Sequence, residues 1–106
     1  MLELSIIILN YNSFQLTSNC IRSVLPWMKG IDAELILVDN DSTECDPARF
    51  LEEFPGITLV RSGKNGGFAY GNNKGIEQAK GEFILLLNSD TVIKEDRDRK
   101  STRLNS

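Results

Sequence analysis

The chain has 106 residues, 41% hydrophobic and 25% charged, which suits one soluble globular domain and leaves no room for a second core. Its 12 basic and 15 acidic residues give a formal net charge of −3, which speaks against nucleic acid as a partner, because that needs a basic face. There is no histidine, which excludes a Ser-His-Asp or Cys-His nucleophile within the chain; the two cysteines, Cys20 and Cys45, lack the spacing of a zinc or redox site.

Leu4 to Leu9 is an unbroken apolar, β-branched run and reads as a strand buried on both faces. It is too short for a signal or membrane segment and is preceded by Glu3, so a cytoplasmic protein is expected. Asn12 stands where a helix cap belongs, with Gln15 at the capping-box position. Leu16, Cys20, Ile21, Val24 and Leu25 then recur at helical spacing, and Pro26 closes that helix. Glu34 to Val38 is a second strand, ending in Asp39-Asn40-Asp41-Ser42. Asp46-Pro47 reads as a helix start, and Phe50, Leu51 and Phe54 as the buried face of that helix. Ile57 to Val60 is a third strand, followed by a glycine-rich loop over 61–67. A third helix is predicted from about Phe68 to Lys80, with Gly81 as its stop, and a fourth strand from Glu82 to Leu87.

Strands alternating with helices predict an α/β fold on a mainly parallel sheet with helices on both faces. In such a sheet all strands deliver their C-terminal ends to one edge, where ligands bind. Polar residues collect there: Asn10, Asp39, Arg61, Asn88 and Asp90. The segment 94–106 breaks this pattern, with one apolar residue in 13 and no periodicity, and is expected to be disordered. Its last part, Asp98 to Ser106, resembles the translation of a sequencing adapter and is read as an artefact of a truncated reading frame.

Three segments carry candidate chemistry. Asp39 at a strand end can accept a hydrogen bond from a nucleobase or ribose, or can simply form an Asx turn with its neighbours. An EF-hand loop is excluded there, because Glu44 and Phe50 occupy the positions that need Gly and Glu. Gly63-Lys64-Asn65-Gly66-Gly67-Phe68 opens a helix, whose N-terminus favours anions; it lacks the ending of a Walker A loop, and by itself it reads more readily as a plain glycine-rich turn. Asn88-Ser89-Asp90 follows a buried strand and offers Asp90 as a hard oxygen ligand for Mg2+ or Mn2+, or as a turn cap.

Taken in order, Ser5 to Asn12, Glu34 to Ser42, Asn65 to Ile76 and Gly81 to Asp90 resemble the nucleotide-binding half of family 2 glycosyltransferases, nearest their rhamnosyltransferase-like branch. The resemblance covers about residues 4–93 and implies a partial GT-A, Rossmann-like domain over 1–93. It implies that Asn10, Tyr11, Asp39 and Asp41 hold the donor nucleotide, joined by Gly67, Ala69 and Asn73 near ribose and phosphates and by Asn88. Asp90 becomes the metal ligand, as last residue of an Asp-x-Asp motif whose first position here is Asn88. The implied reaction is inverting transfer from a nucleoside-diphosphate sugar to the hydroxyl of a glycan or lipid-linked acceptor in cell-surface glycan synthesis. The whole enzyme would associate with a membrane peripherally, and the family's general base falls beyond the truncation. Two other readings are a sugar-phosphate nucleotidyltransferase-like domain, disfavoured by Asn10-Tyr11-Asn12-Ser13 where that class has a basic glycine-rich loop, and a non-catalytic nucleotide-binding fragment.

Overall fold

Seven elements alternate in a computed structural model that describes residues 2–92: β1 (Leu4–Asn10), α1 (Phe14–Trp27), β2 (Ala33–Asp39), α2 (Arg49–Glu53), β3 (Thr58–Arg61), α3 (Phe68–Gln78) and β4 (Phe83–Leu87). The segment 94–106, with the adapter-like residues, lies outside the described residues. The strands form one parallel sheet in the order β3-β2-β1-β4. Strand order therefore reverses between β1 and β4, and that reversal opens a crevice at the C-terminal edge. The expected α/β architecture is what forms.

Alternation along β1 and β2 divides the core. Ile6, Ile8, Leu35 and Leu37 point to one face and pack with Cys20, Ile21 and Val24 of α1 and with Phe50 and Phe54. Ile7, Ile36 and Val38 point to the other face, where α3 lies. Ile6, Ile7 and Ile8 are all fully buried, as a central strand covered on both sides requires.

Helix α3 reaches the sheet through glycines. A Cβ at Gly71 would stand 2.4 Å from Leu9 Cδ1, and one at Gly75 would stand 2.8 Å from both Ile7 Cγ2 and Val38 Cγ2. The missing side chains let the helix backbone settle directly on β1 and β2.

Several local expectations are corrected. Asn12 does not cap α1: the N-cap is Ser13 and makes no side-chain cap bond, while Glu44 reaches across to accept the Phe14 N–H at 3.0 Å. Gln15 instead donates to Asn19, one turn on. Pro26 lies inside the last turn of α1, which ends at Trp27; so near the end its ring displaces little. Leu16 and Leu51 are exposed rather than core. Asp46 and Pro47 form the turn before α2 rather than its cap and first residue, since α2 starts at Arg49 with Ala48 as its N-cap; Asp46 accepts the Ala48 N–H at 2.9 Å, which with Arg61 beside it holds its carboxyl below the usual range. Gly81 is no left-handed helix stop: α3 ends at Gln78, and Gly81 is needed because a Cβ there would stand 2.6 Å from the Leu4 carbonyl carbon and the Ser5 nitrogen.

Gly81→Ala is expected to destabilise the fold by about 3 kcal/mol in urea unfolding, because backbone atoms cannot rotate away. Gly75→Ala should cost about 1–3 kcal/mol, since the β-branched Ile7 and Val38 are stiff and their clash outweighs the helix-propensity gain of about 1 kcal/mol. An unchanged unfolding midpoint in either variant would contradict this packing. Burial, and secondly the nearby Asp90 carboxylate, push the Cys20 thiol up to about 11. A thiol titration at pH 8 should therefore find Cys45, which is half-buried, reacting in the native protein and Cys20 only after unfolding.

Candidate functional site

The C-terminal edge of the sheet holds a connected set of buried polar groups. Asn10 and Asp39 end β1 and β2 in register, and both are 2% exposed. Asn10 Nδ2 donates to Asp39 Oδ1 at 2.8 Å, and Thr17 Oγ1 donates to Asn10 Oδ1 at 2.7 Å. Ser42 Oγ donates to Asp39 Oδ1 at 2.7 Å, and the Ser42 N–H donates to Oδ2 at 2.9 Å. A carboxylate has about four acceptor positions. Three are filled by these bonds, which fix the group rigidly and leave one position, on Oδ2, without a protein partner among the described residues.

The loops after β1 and β2 are clasped together. Ser42 Oγ accepts from the Asn12 N–H at 2.9 Å, while Asn12 Oδ1 accepts the N–H groups of Thr43 and Glu44 at 2.7 and 2.9 Å. Asn12 and Asp41 both adopt positive φ, 48° and 66°, which these residue types tolerate better than most. Tyr11, 44% exposed, and Asp41, also exposed, stand at the surface of this clasp.

The glycine-rich loop is held by the residues that follow β2 and β3 as well as by its own turn, in which Asn65 Oδ1 accepts the Gly67 N–H at 3.4 Å. Asn40, 2% exposed, donates through Nδ2 to Asn65 Oδ1 at 3.0 Å and to the Gly67 carbonyl at 3.3 Å. Tyr70 folds back, its hydroxyl donating to the Ser62 carbonyl at 3.1 Å and its ring filling the space a Gly66 side chain would need. Gly67 sits at φ 96° as the N-cap of α3, with no side-chain cap. The first N–H groups of α3, that of Ala69 among them, thus have no helical partner and face an exposed surface.

Across the reversal point, Asn88 and Asp90 follow β4, both exposed. The Asn88 carbonyl lies 3.6 Å from Cys20 Sγ, which seats this turn on α1. No cluster of three His, Cys, Asp or Glu side chains able to hold a metal occurs among the described residues. A lone carboxylate with an amide nearby still suits Mg2+ or Mn2+, which commonly take one or two carboxylates and complete their shell with phosphate and water.

The residues expected at the site form distinct groups, most of them at the strand ends, while Asn73 lies within α3 on its exposed side. Asn10 and Asp39 are bonded to each other; Gly67 and Ala69 belong to the start of α3; Asn88 and Asp90 stand beyond β1. Asn73 is exposed, whereas its neighbour Asn72 is 5% exposed with Nδ2 unpartnered. Sequence reasoning passed over Asn72, Asn12 and Asn40. The φ-tolerant Asn in a strand-end loop was the available signal for Asn12; the other two show only in three dimensions.

Asn12→Ala is expected to lower stability by about 1–2 kcal/mol, losing two backbone acceptor bonds and placing alanine at positive φ. Amide exchange should quicken at Thr43 and Glu44 while β1 stays protected; unchanged exchange there would contradict the clasp.

Comparison with known proteins bears on the family and the fold. The family model described as glycosyl transferase family 2 matches residues 5–101. The glycosyltransferase GlyG of Streptococcus pneumoniae serotype 4 is 31% identical over 98 residues, which are 88% of this chain and 32% of that protein. Among solved structures, the mannosyltransferase PcManGT of Pyrobaculum calidifontis, in complex with GDP-Man and Mn2+, superposes with a TM-score of 0.76 at 23% identity, covering 88% of this chain and 29% of that one. S. aureus TarS in complex with UDP-GlcNAc gives 0.74 at 24% identity, covering 94% and 30%. The chain thus spans about a third of the length of these relatives. With the motifs spread over the whole sheet edge and a family model covering most of its length, the chain belongs to glycosyl transferase family 2 and carries part of a GT-A-type domain.

Proposed function

We propose that residues 1–93 are the donor-binding part of an inverting glycosyltransferase that takes a nucleoside-diphosphate sugar and passes the sugar to an acceptor hydroxyl. The observation that carries this reading is Asp39: a buried carboxylate fixed by three hydrogen bonds, with one acceptor position left at the ligand edge. A group built only to form a turn has no use for such rigidity at that spot, whereas a nucleobase N–H needs a fixed acceptor.

The remaining residues divide the donor between them. Asn10 orients Asp39, and Tyr11 and Asp41 offer exposed polar or aromatic surface to base and ribose. The uncapped start of α3, at Gly67 and Ala69, offers N–H groups and a positive dipole end to the diphosphate. Asn73 and Asn88 contribute amides to the ribose or to metal-bound water. Asp90 would hold Mg2+ or Mn2+, which when bound neutralises the charge developing on the departing diphosphate. This chain's own part is to bind and orient the donor; deprotonation of the acceptor belongs to a general base elsewhere in the whole enzyme.

The rest of the assignment extends from the relatives. PcManGT was solved with GDP-Man and TarS with UDP-GlcNAc, so the same fold serves either base, and UDP, dTDP and GDP sugars are all in scope. A glycan or lipid-linked acceptor in cell-surface glycan synthesis, a cytoplasmic location and peripheral membrane contact complete the proposal. No helix among the described residues is long and apolar enough to cross a membrane. The rhamnosyltransferase-like placement rests on the sequence motifs.

Calorimetry with UDP, dTDP and GDP, with and without Mn2+, tests this. One nucleotide should bind, more tightly with Mn2+. Asp39→Asn, which keeps the shape, should weaken binding by about tenfold or more for loss of a charged acceptor. Asp90→Asn should abolish the Mn2+ enhancement while leaving metal-free binding unchanged. A folded protein that binds none of the three would sink the donor reading and favour a fragment without nucleotide function.

A further inference from the structure

Asn40 occupies a position that the assigned site does not use, and it bonds to Asn10 on one side and to the glycine-rich loop on the other. Its N–H donates to the Asn10 carbonyl at 2.8 Å, continuing the β1–β2 ladder past the last paired residues. Its Oδ1 lies 2.8 Å from Ser62 Oγ, whose single proton serves either this oxygen or the Lys64 carbonyl at 2.7 Å. Its Nδ2 donates to Asn65 Oδ1 and to the Gly67 carbonyl. The Ser62 N–H in turn donates to the Asp39 carbonyl at 3.0 Å. One buried amide thus joins the ends of β1, β2 and β3 to the residue that starts α3.

An amide is the group this position needs. One side must accept from a hydroxyl, and the other must donate twice, to a side-chain oxygen and to a main-chain carbonyl. Gly71 permits the approach, since a Cβ there would stand 3.2 Å from Asn40 Oδ1. Gly67, at φ 96° and uncapped, has no side chain of its own to fix it; the bond from Asn40 supplies a tether from the sheet.

Resting on the donor-binding reading above, we propose that Asn40 is a positioning residue that sets the glycine-rich loop and the first turn of α3 at the height where they meet the diphosphate, independently of the nucleobase contact at Asp39. Aspartate at this position keeps the acceptor facing Ser62 but turns the two-donor side into an acceptor facing Asn65 Oδ1 and the Gly67 carbonyl. The loop is then pushed from the sheet while the Asn10–Asp39–Ser42 group keeps its own bonds.

The test separates the two halves of the ligand. Amide chemical-shift titrations of the wild-type chain and Asn40→Asp are run with UDP and uridine, and with GDP and guanosine. The expected result is an unchanged nucleoside affinity and a diphosphate affinity lowered about tenfold or more, with faster amide exchange at Gly66, Gly67 and Phe68. Should Asn40→Asp not fold, Asn65→Ala, which removes the exposed end of the same tether, is judged by the same ratio. Nucleoside and nucleotide affinities that fall by one common factor, or that do not fall, overturn the role of Asn40 and leave the donor reading standing. A wild-type chain that binds none of the diphosphates removes both.

Discussion

A parallel sheet gathers the spent ends of its strands at one edge, and whatever polar groups are buried there must find partners or the fold loses stability. In this chain that constraint falls on Asn10, Asp39, Asn40 and Ser62, each at most 6% exposed. Their answer is one continuous hydrogen-bonded seam across β1, β2 and β3. Two parts of the edge take their position from that seam: the clasp between the first two loops through Ser42 and Asn12, and the glycine-rich loop through Asn40.

The seam works because the layers behind it are closely packed. The glycines of α3 bring its backbone onto Ile7, Leu9 and Val38, so the start of the helix is held at a fixed distance from the strand ends. At the opposite end of the sheet Ser5 donates to Glu34 at 2.6 Å, and the N–H groups of Lys80 and Gly81 donate to Glu34 and Ser5. The helix is thereby pinned at both ends, by Asn40 above and by Glu34 below. A site whose parts are set by rigid elements needs little rearrangement on binding, which saves the ordering entropy that looser loops lose.

The strands were legible because continuous apolar runs leave few alternatives once their length is too short for a buried helix. The parallel arrangement followed from the alternation of strands and helices, and the strand ends marked the edge where the polar residues collect. Local terminations were less legible. Asn12 looks like a cap in isolation, but the backbone groups it satisfies lie 31 and 32 residues away. Gly81 looks like a helix stop, but its reason is the approach of β1, which no local pattern encodes. Leu16 and Leu51 sit off the buried arcs of their helices, which are set by Thr17, Cys20, Ile21 and Val24 in α1 and by Phe50 in α2. At the site, charge drew attention to Asp39 and Asp41 and away from the neutral Asn40 between them, whose partners are 22 to 27 residues distant.

The placement of β1 in the middle of the sheet also acts as a ruler. Asp39 ends the strand on one side of β1, and Asp90 follows the strand on the other. Two interstrand steps make about 10 Å, a separation that backbone hydrogen bonding holds nearly constant. Any ligand that touches both flanks must therefore bridge β1, and the strand spacing sets the span between its two contacts.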